Sequence, residues 1–290
     1  MNTFDKVSII GVGLLGGSLA KAMRQRGLAK TLVGHGRNQA NLEEAKKLNI
    51  IDRFAVDLRS AVEGADLVVL CAPVRAIGTL VREMAPFLKP GCLITDVGSV
   101  KASLVREIEP LVPDGIFFVG AHPIAGGEKS GFRVSSATLF EGARCIVTPT
   151  EKTDPDALKQ ITALWEQVGM RVSSMGVDEH DYIFGAVSHM PHMVVYALMN
   201  TLGSLKSDNH DQVTSFSGAG LKDITRIASG DPVMWRDICL SNRDSVLHCI
   251  DRFQETLSHI RDKIDRGEGE SLVREFKTAN KHRLDLVGHA

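Results

Sequence analysis

Four short segments of this sequence carry residue types that move protons, hydrogen-bond ligands or hold phosphates. Gly120-Ala121-His122-Pro123-Ile124-Ala125-Gly126 sets an imidazole beside a proline that fixes the backbone and among glycines that let a ligand approach. Imidazole changes charge near neutral pH, so His122 is the first candidate for proton transfer; a turn histidine bonded to backbone has the same signature. Asp96-Val97-Gly98-Ser99-Val100-Lys101 adds a hydroxyl and an ammonium, and Ser188-His189-Met190-Pro191-His192 adds two imidazoles that on residue type alone read first as satisfied interface histidines. Asp178, Glu179 and Asp181 stand at no zincin spacing from that pair, so no metal site is expected. The fourth segment is Gly11-Val12-Gly13-Leu14-Leu15-Gly16, directly behind the apolar run Val7 to Ile10. A glycine turn between a buried strand and a helix lets backbone N–H groups meet a pyrophosphate at the positive end of a helix dipole.

The context required of that turn is present. Ser18 to Met23 continues as a helix, Gly27 ends it, and Thr31-Leu32-Val33-Gly34 reads as a second strand. Gly11, Gly13, Leu14, Leu15 and Gly16 are therefore cofactor-binding candidates, with Ala72 and Pro73 at the end of a further apolar run lining the same crevice. After the second strand comes His35-Gly36-Arg37-Asn38, with one arginine and no acid. An acid there bonds the ribose of NAD, whereas a basic residue accommodates the 2′-phosphate of NADP. His35 and Arg37 thus favour NADP over NAD, unless Arg37 is simply a solvated loop residue.

These segments need a scaffold that brings them to one edge. Apolar runs at Ala65–Ala72, Cys92–Val97, Ile116–Gly120, Arg144–Thr148 and Arg171–Ser174 alternate with helical patterns such as Ala76 to Phe87. Continuous apolar strands separated by helices indicate a parallel sheet covered on both faces, a doubly wound Rossmann-type α/β domain over residues 1–174. In such a sheet the catalytic segments follow strand ends. Residues 175–290 show helical periodicity instead, at Asp181 to Leu202, Gly220 to Ala228, Pro232 to Arg261 and Ser271 to Leu286, with Gly203 to Gly218 as a polar loop. Apolar positions around Met190 to Leu198 cover more than one helix face, so an all-α substrate and dimerisation domain that forms a homodimer is expected.

Bulk properties exclude several classes. The chain has 290 residues, 43% hydrophobic and 24% charged, with a formal net charge of −1, which gives no electrostatic case for nucleic acid or an anionic membrane. No apolar run is long enough to span a bilayer and no secretory segment precedes the first strand. Five cysteines, Cys71, Cys92, Cys145, Cys239 and Cys249, lack metal-type pairing and read as reduced core thiols of a cytoplasmic protein.

The glycine turn with Gly17-Ser18, the Asp96 to Lys101 and Gly120 to Gly126 segments, Ser188 to His192, and Asp223-Ile224-Thr225-Arg226-Ile227-Ala228 through Met234-Trp235-Arg236-Asp237 follow one another in a telling order. From Val7 to about Phe253 the chain resembles the prephenate/arogenate dehydrogenase family of tyrosine biosynthesis, in its stand-alone form. The resemblance implies oxidative decarboxylation of prephenate or arogenate with hydride transfer to NAD(P). It implies that His122 accepts the proton of the substrate 4-hydroxyl, that Ser99 contacts the same hydroxyl, and that Lys101 supports the site electrostatically. It further implies that Arg226 holds a substrate carboxylate, that His189, His192 and Trp235 line the substrate site, and that Glu128 and Asp223 join Arg226 in a gating ion network. Cap, solvated-lysine, surface-pair and core roles are the plain alternatives for Ser99, Lys101, Arg226 and Trp235. A β-hydroxyacid dehydrogenase, a pyrroline-carboxylate reductase or a catalytically silent NAD(P)-sensing module are the rival readings.

Overall fold

Alternating apolar strands and one-sided helices assemble here into one eight-stranded sheet followed by a helical array. The computed structural model describes residues 3–127, 129–205 and 213–288. In chain order the first part comprises β1 (Phe4–Ile10), α1 (Leu14–Gln25), β2 (Ala29–His35), α2 (Gln39–Lys47), β3 (Arg53–Ala55), α3 (Leu58–Val62), β4 (Leu67–Leu70), α4 (Val74–Met84), β5 (Leu93–Asp96) and α5 (Ala102–Ile108). There follow β6 (Phe117–Ile124), β7 (Arg144–Thr148), α6 (Pro155–Gln167) and β8 (Arg171–Ser174). The helical part holds α7 (Val177–Phe184), α8 (Met190–Ser204), α9 (Ala219–Thr225), α10 (Pro232–Ser241), α11 (Arg243–Asp265) and α12 (Gly269–Gly288).

The strand order is β3-β2-β1-β4-β5-β6-β7-β8. The direction of winding reverses between β1 and β4, which opens a crevice at their carboxyl ends. One face of the sheet is covered by Leu19 and Met23 of α1, Leu42 of α2 and Ile161 and Trp165 of α6. The other is covered by Val62 of α3, Leu104 and Ile108 of α5, and α4, whose Ile77, Val81 and Met84 recur at helical spacing and are fully buried. Two separate cores thus clamp the sheet, as a doubly wound domain requires. All five cysteines are free thiols, and no described helix is long and apolar enough to cross a membrane.

The structure corrects several sequence expectations. The sheet is not wholly parallel, because β7 runs antiparallel to β6. That pairing also extends β6 through Ile124, so His122 and Pro123 lie within a strand and do not follow one ending at Gly120. Proline ends parallel and central ladders, but here residues 120–124 pair on the β7 side alone, which leaves Pro123 on a strand edge that tolerates a missing N–H. The 181–202 helix begins at Val177 and contains a wide π turn at Gly185–His189, and the 232–261 helix is two helices separated at Asn242. The expected polar loop at 203–218 begins only after Ser204 and carries a 3₁₀ turn at Val213–Phe216; residues 206–212 lie outside the described residues.

Candidate active site

The site forms where β5 and β6 part. Their ladder ends at Thr95 opposite Val119, so the backbone of Ala121 loses its strand partner. A buried polar group without a partner is costly, and two side chains replace the ladder. Asp96 Oδ1 accepts the Ala121 N–H at 3.1 Å, and Lys101 Nζ donates to the Ala121 carbonyl at 2.9 Å. Lys101 also pairs with Asp96, and neither side chain has any exposure. Lys101 is therefore not solvated; it neutralises a buried carboxylate and completes the strand edge beside His122.

His122 is anchored from the helical part. Its Nδ1 lies 2.8 Å from His180 Nε2, and His180 Nδ1 lies 2.8 Å from Asp181 Oδ1. Asp181 in turn accepts the backbone N–H groups of Lys101 at 2.7 Å and Ala102 at 2.9 Å, capping α5 from another element and taking the cap role that Ser99 offered as its plain alternative. An anionic Asp181 requires His180 to donate from Nδ1. His180 then presents a lone pair at Nε2, which requires His122 to donate from Nδ1. The remaining nitrogen of His122, Nε2, is left as a lone pair with no partner among the described residues. Burial, and after it the neighbouring His180, Lys101 and His189, hold His122 well below the usual imidazole range. It is a neutral base of fixed tautomer.

His189 has the opposite arrangement. Its Nδ1 stands 3.0 Å from Asn242 Nδ2, which also donates to the Asp181 carbonyl at 2.7 Å, so Nδ1 is the acceptor and Nε2 carries the hydrogen. That Nε2 is buried without a partner, and the Ser99 backbone lies close to the ring. His192 donates from Nδ1 to the Ser188 carbonyl at 2.8 Å and stacks on Trp235 at 3.6 Å between ring centroids. The charge of Arg226 is near enough to lower His192, after burial has done so. Val100 packs against Trp235 and Ile238, so the Ser99 loop docks directly on α10. The structure thus brings His122, Ser99, Lys101, His189, His192, Trp235 and Arg226 to one region, with Asp223 exposed one turn before Arg226 on α9; Glu128 lies outside the described residues. His180, Asp181, Asp96 and Asn242 were not singled out as site residues from sequence. The His-Asp pair at the start of an otherwise ordinary helix was the available signal.

Burial of these imidazoles links stability to pH. His189 is pushed down to about 4 by burial, and His122 and His180 are lowered as well. Unfolded imidazoles accept protons near pH 6.5, so acidification below that value favours the unfolded chain until the folded groups titrate. His189 alone accounts for a loss of about 2 kcal/mol between pH 7 and pH 5. The urea midpoint is expected to fall across that interval, and an unchanged midpoint would contradict the neutral assignments.

The glycine turn lies across the crevice between β1 and β4. Gly11 has φ +107, and a Cβ there would sit 2.4 Å from the Cys71 carbonyl oxygen, beside the Ala72 backbone. At Gly16 a Cβ would meet the Gly11 carbonyl at 2.2 Å, whereas at Gly13 it would meet nothing within 4 Å. Gly11 and Gly16 close the turn, and Gly13 opens it toward free space at the start of α1, where Leu14 and Leu15 form the first turn without a side-chain cap. Uncapped N–H groups facing an open cradle fit a pyrophosphate. Pro73 caps the start of α4 on the other wall. At the far end an open cleft of about 510 Å³ is lined by His35, Gly36, Arg37, Asp57 and Glu83 among others, the size and place for an adenosine end. Among the described residues no group of three or more candidate ligands could hold a metal ion.

Comparison with known proteins identifies the family. The prephenate dehydrogenase nucleotide-binding domain matches residues 19–174 and the prephenate dehydrogenase dimerization domain matches residues 177–278. A cyclohexadienyl dehydrogenase of Zymomonas mobilis is 34% identical over 286 residues, covering 99% of this chain and 97% of its own. A prephenate dehydrogenase of Bacillus subtilis is 36% identical over 284 residues, covering 97% of this chain and 76% of its own. The crystal structure of a prephenate dehydrogenase from Aquifex aeolicus in complex with hydroxyphenyl propionate and NAD+ superposes with a TM-score of 0.92 at 38% identity, covering 98% of this chain and 99% of that one.

Proposed function

This chain belongs to the prephenate dehydrogenase family, and we propose that it converts prephenate to 4-hydroxyphenylpyruvate, or arogenate to tyrosine, through the residues gathered at the β5–β6 opening. It is a nicotinamide-dependent oxidoreductase of tyrosine biosynthesis that removes carbon dioxide and hydride from its substrate. The observation that carries the assignment of roles is the buried chain from His122 through His180 to Asp181.

When bound, the nicotinamide supplies the hydride acceptor. His122 Nε2 takes the proton of the substrate 4-hydroxyl as hydride leaves C4, so a ring carbonyl develops in place of an alcohol. The bond from C1 to the carboxylate then breaks, its electron pair enters the ring, and the resulting phenolate oxygen recovers the proton from His122. No net proton is released from the ring. The charge arriving on His122 is stabilised through its hydrogen bond to His180 and balanced by Asp181. Lys101 and Asp96 hold the strand edge that aims His122, Ser99 bonds the same hydroxyl, and His189 offers an N–H donor. Arg226 binds a substrate carboxylate in a charge-assisted fork, with His192 and Trp235 forming the wall beside it. Asp223 serves with Arg226 in an ion network at the entrance.

Residues 1–174 form the dinucleotide-binding domain and residues 175–290 the substrate and dimerisation domain in this reading. A homodimer through the helices accounts for α8, which is rich in apolar side chains yet buries only Val195, and for the exposure of Leu257, Ile264, Phe276 and Leu284 on α11 and α12. Arg37 and the absence of an acid at the end of β2 favour NADP. Steady-state kinetics with prephenate or arogenate and NAD or NADP test the whole reading. Activity in at least one of the four combinations is expected, with Arg37→Ala reducing kcat/KM for NADP about ten-fold more than for NAD, the scale of one charge-assisted contact. Equal losses for the two nucleotides would remove the NADP preference, and inactivity in all four would remove the function.

A further inference from the structure

The adenosine cleft contains a titratable residue whose hydrogen-bonding role is fixed by the fold. His35 ends β2, and its Nδ1 lies 3.0 Å from the Ala55 carbonyl of β3. A carbonyl only accepts, so Nδ1 carries a hydrogen in both charge states of the ring. The state of the other nitrogen alone changes with pH. His35 lines the cleft together with Arg37, and Nε2 has no partner among the described residues. In the neutral ring Nε2 is an acceptor, matched to a ribose 2′-hydroxyl, which can donate. In the imidazolium it is a charged donor, matched to a 2′-phosphate, which can only accept when ionised.

We propose that His35 is a proton-dependent selector between the two nicotinamide dinucleotides, favouring the 2′-hydroxyl form when neutral and the 2′-phosphate form when protonated. This rests on the nicotinamide-cofactor reading given above. Imidazole is the side chain whose ordinary charge change lies between about pH 5 and 8. The charged groups facing the ring come from three neighbouring elements. Asp57, which caps α3, interacts with His35 electrostatically and lines the cleft beside it. Glu83 of α4 lines the same cleft, and Arg37, just beyond β2, offers the phosphate a second cation. The hydrogen bond to Ala55 keeps the ring oriented through the change.

Calorimetric binding of NAD+ and NADP+ to the enzyme without substrate, at intervals from pH 5.5 to 8.5, tests the proposal. A phosphate monoester itself gains charge near pH 6, which alters NADP+ binding independently of the protein. The His35→Gln variant, which keeps a neutral polar side chain, isolates that contribution. The NADP+/NAD+ affinity ratio of the wild type is expected to rise on acidification about ten-fold relative to the ratio in His35→Gln. His35→Leu, which lacks the acceptor, is expected to weaken NAD+ several-fold at pH 8. Identical pH dependence in wild type and His35→Gln overturns the proposal even if Arg37→Ala still loses NADP+ affinity. Failure to bind NADP+ at any pH overturns both the proposal and the NADP preference, while the NAD-dependent reading survives on NAD+ binding.

Discussion

The His122→Asn enzyme is expected to bind cofactor and substrate nearly as the wild type does and to turn over on the order of 10³-fold more slowly. Asparagine can keep a donor to His180 Nε2, so the strand edge and the buried chain survive. The lone pair at Nε2 is lost, and with it the neutral base that the chain through His180 to Asp181 holds at the β5–β6 opening. General base catalysis contributes typically 10²- to 10⁴-fold, which sets the scale. Fluorescence titration of cofactor binding and kcat measured on the same preparation separate the two effects. The wild-type kcat/KM profile should keep its activity well below pH 6.5, because burial keeps His122 unprotonated there. Turnover within ten-fold of wild type, or a large loss of binding, would show that His122 is not the base.

Arg226→Ala is expected to give the complementary pattern, a KM for substrate raised on the order of 10²-fold with a smaller change in kcat. The substrate carries two carboxylates, and a guanidinium can hold one through two parallel hydrogen bonds. Arg226 sits on a 3₁₀ turn directly after α9, and its charge is felt by His192 on α8. Its side chain is exposed, so the substitution should leave the thermal midpoint within a degree or two of wild type. Arg226→Lys should recover part of the affinity, since the charge returns without the planar fork. A fall in kcat with unchanged KM would exchange the roles assigned to Arg226 and His122.

Much of this architecture is legible because its determinants are local. Gly11 and Gly16 are required where a Cβ would strike backbone, and the strands of the sheet are apolar because both of their faces are covered. The elements that escaped are those with weak local signals. β3 spans three residues, and α2 buries only Leu42 and Ala45, so neither stands out by periodicity. The break at Asn242 is hidden in a pattern that is helical on both sides, and it becomes intelligible only when that asparagine is seen bonding the Asp181 carbonyl and His189.

The sequence alone therefore determined which chemistry the chain can perform: a dinucleotide turn, an imidazole at a strand end and an arginine in a helical segment are residue types at fixed spacings. The tertiary structure decided the protonation states and partners on which that chemistry depends. His122 and His180 are 58 residues apart, and Lys101 meets Asp181 from 80 residues away. No local pattern encodes such pairs. His122 is a neutral base with a defined lone pair because β7 holds its strand straight, Asp96 and Lys101 close the gap left by β5, and α7 delivers His180 and Asp181 behind it. Burial then removes the water that would otherwise let any of these groups choose another charge.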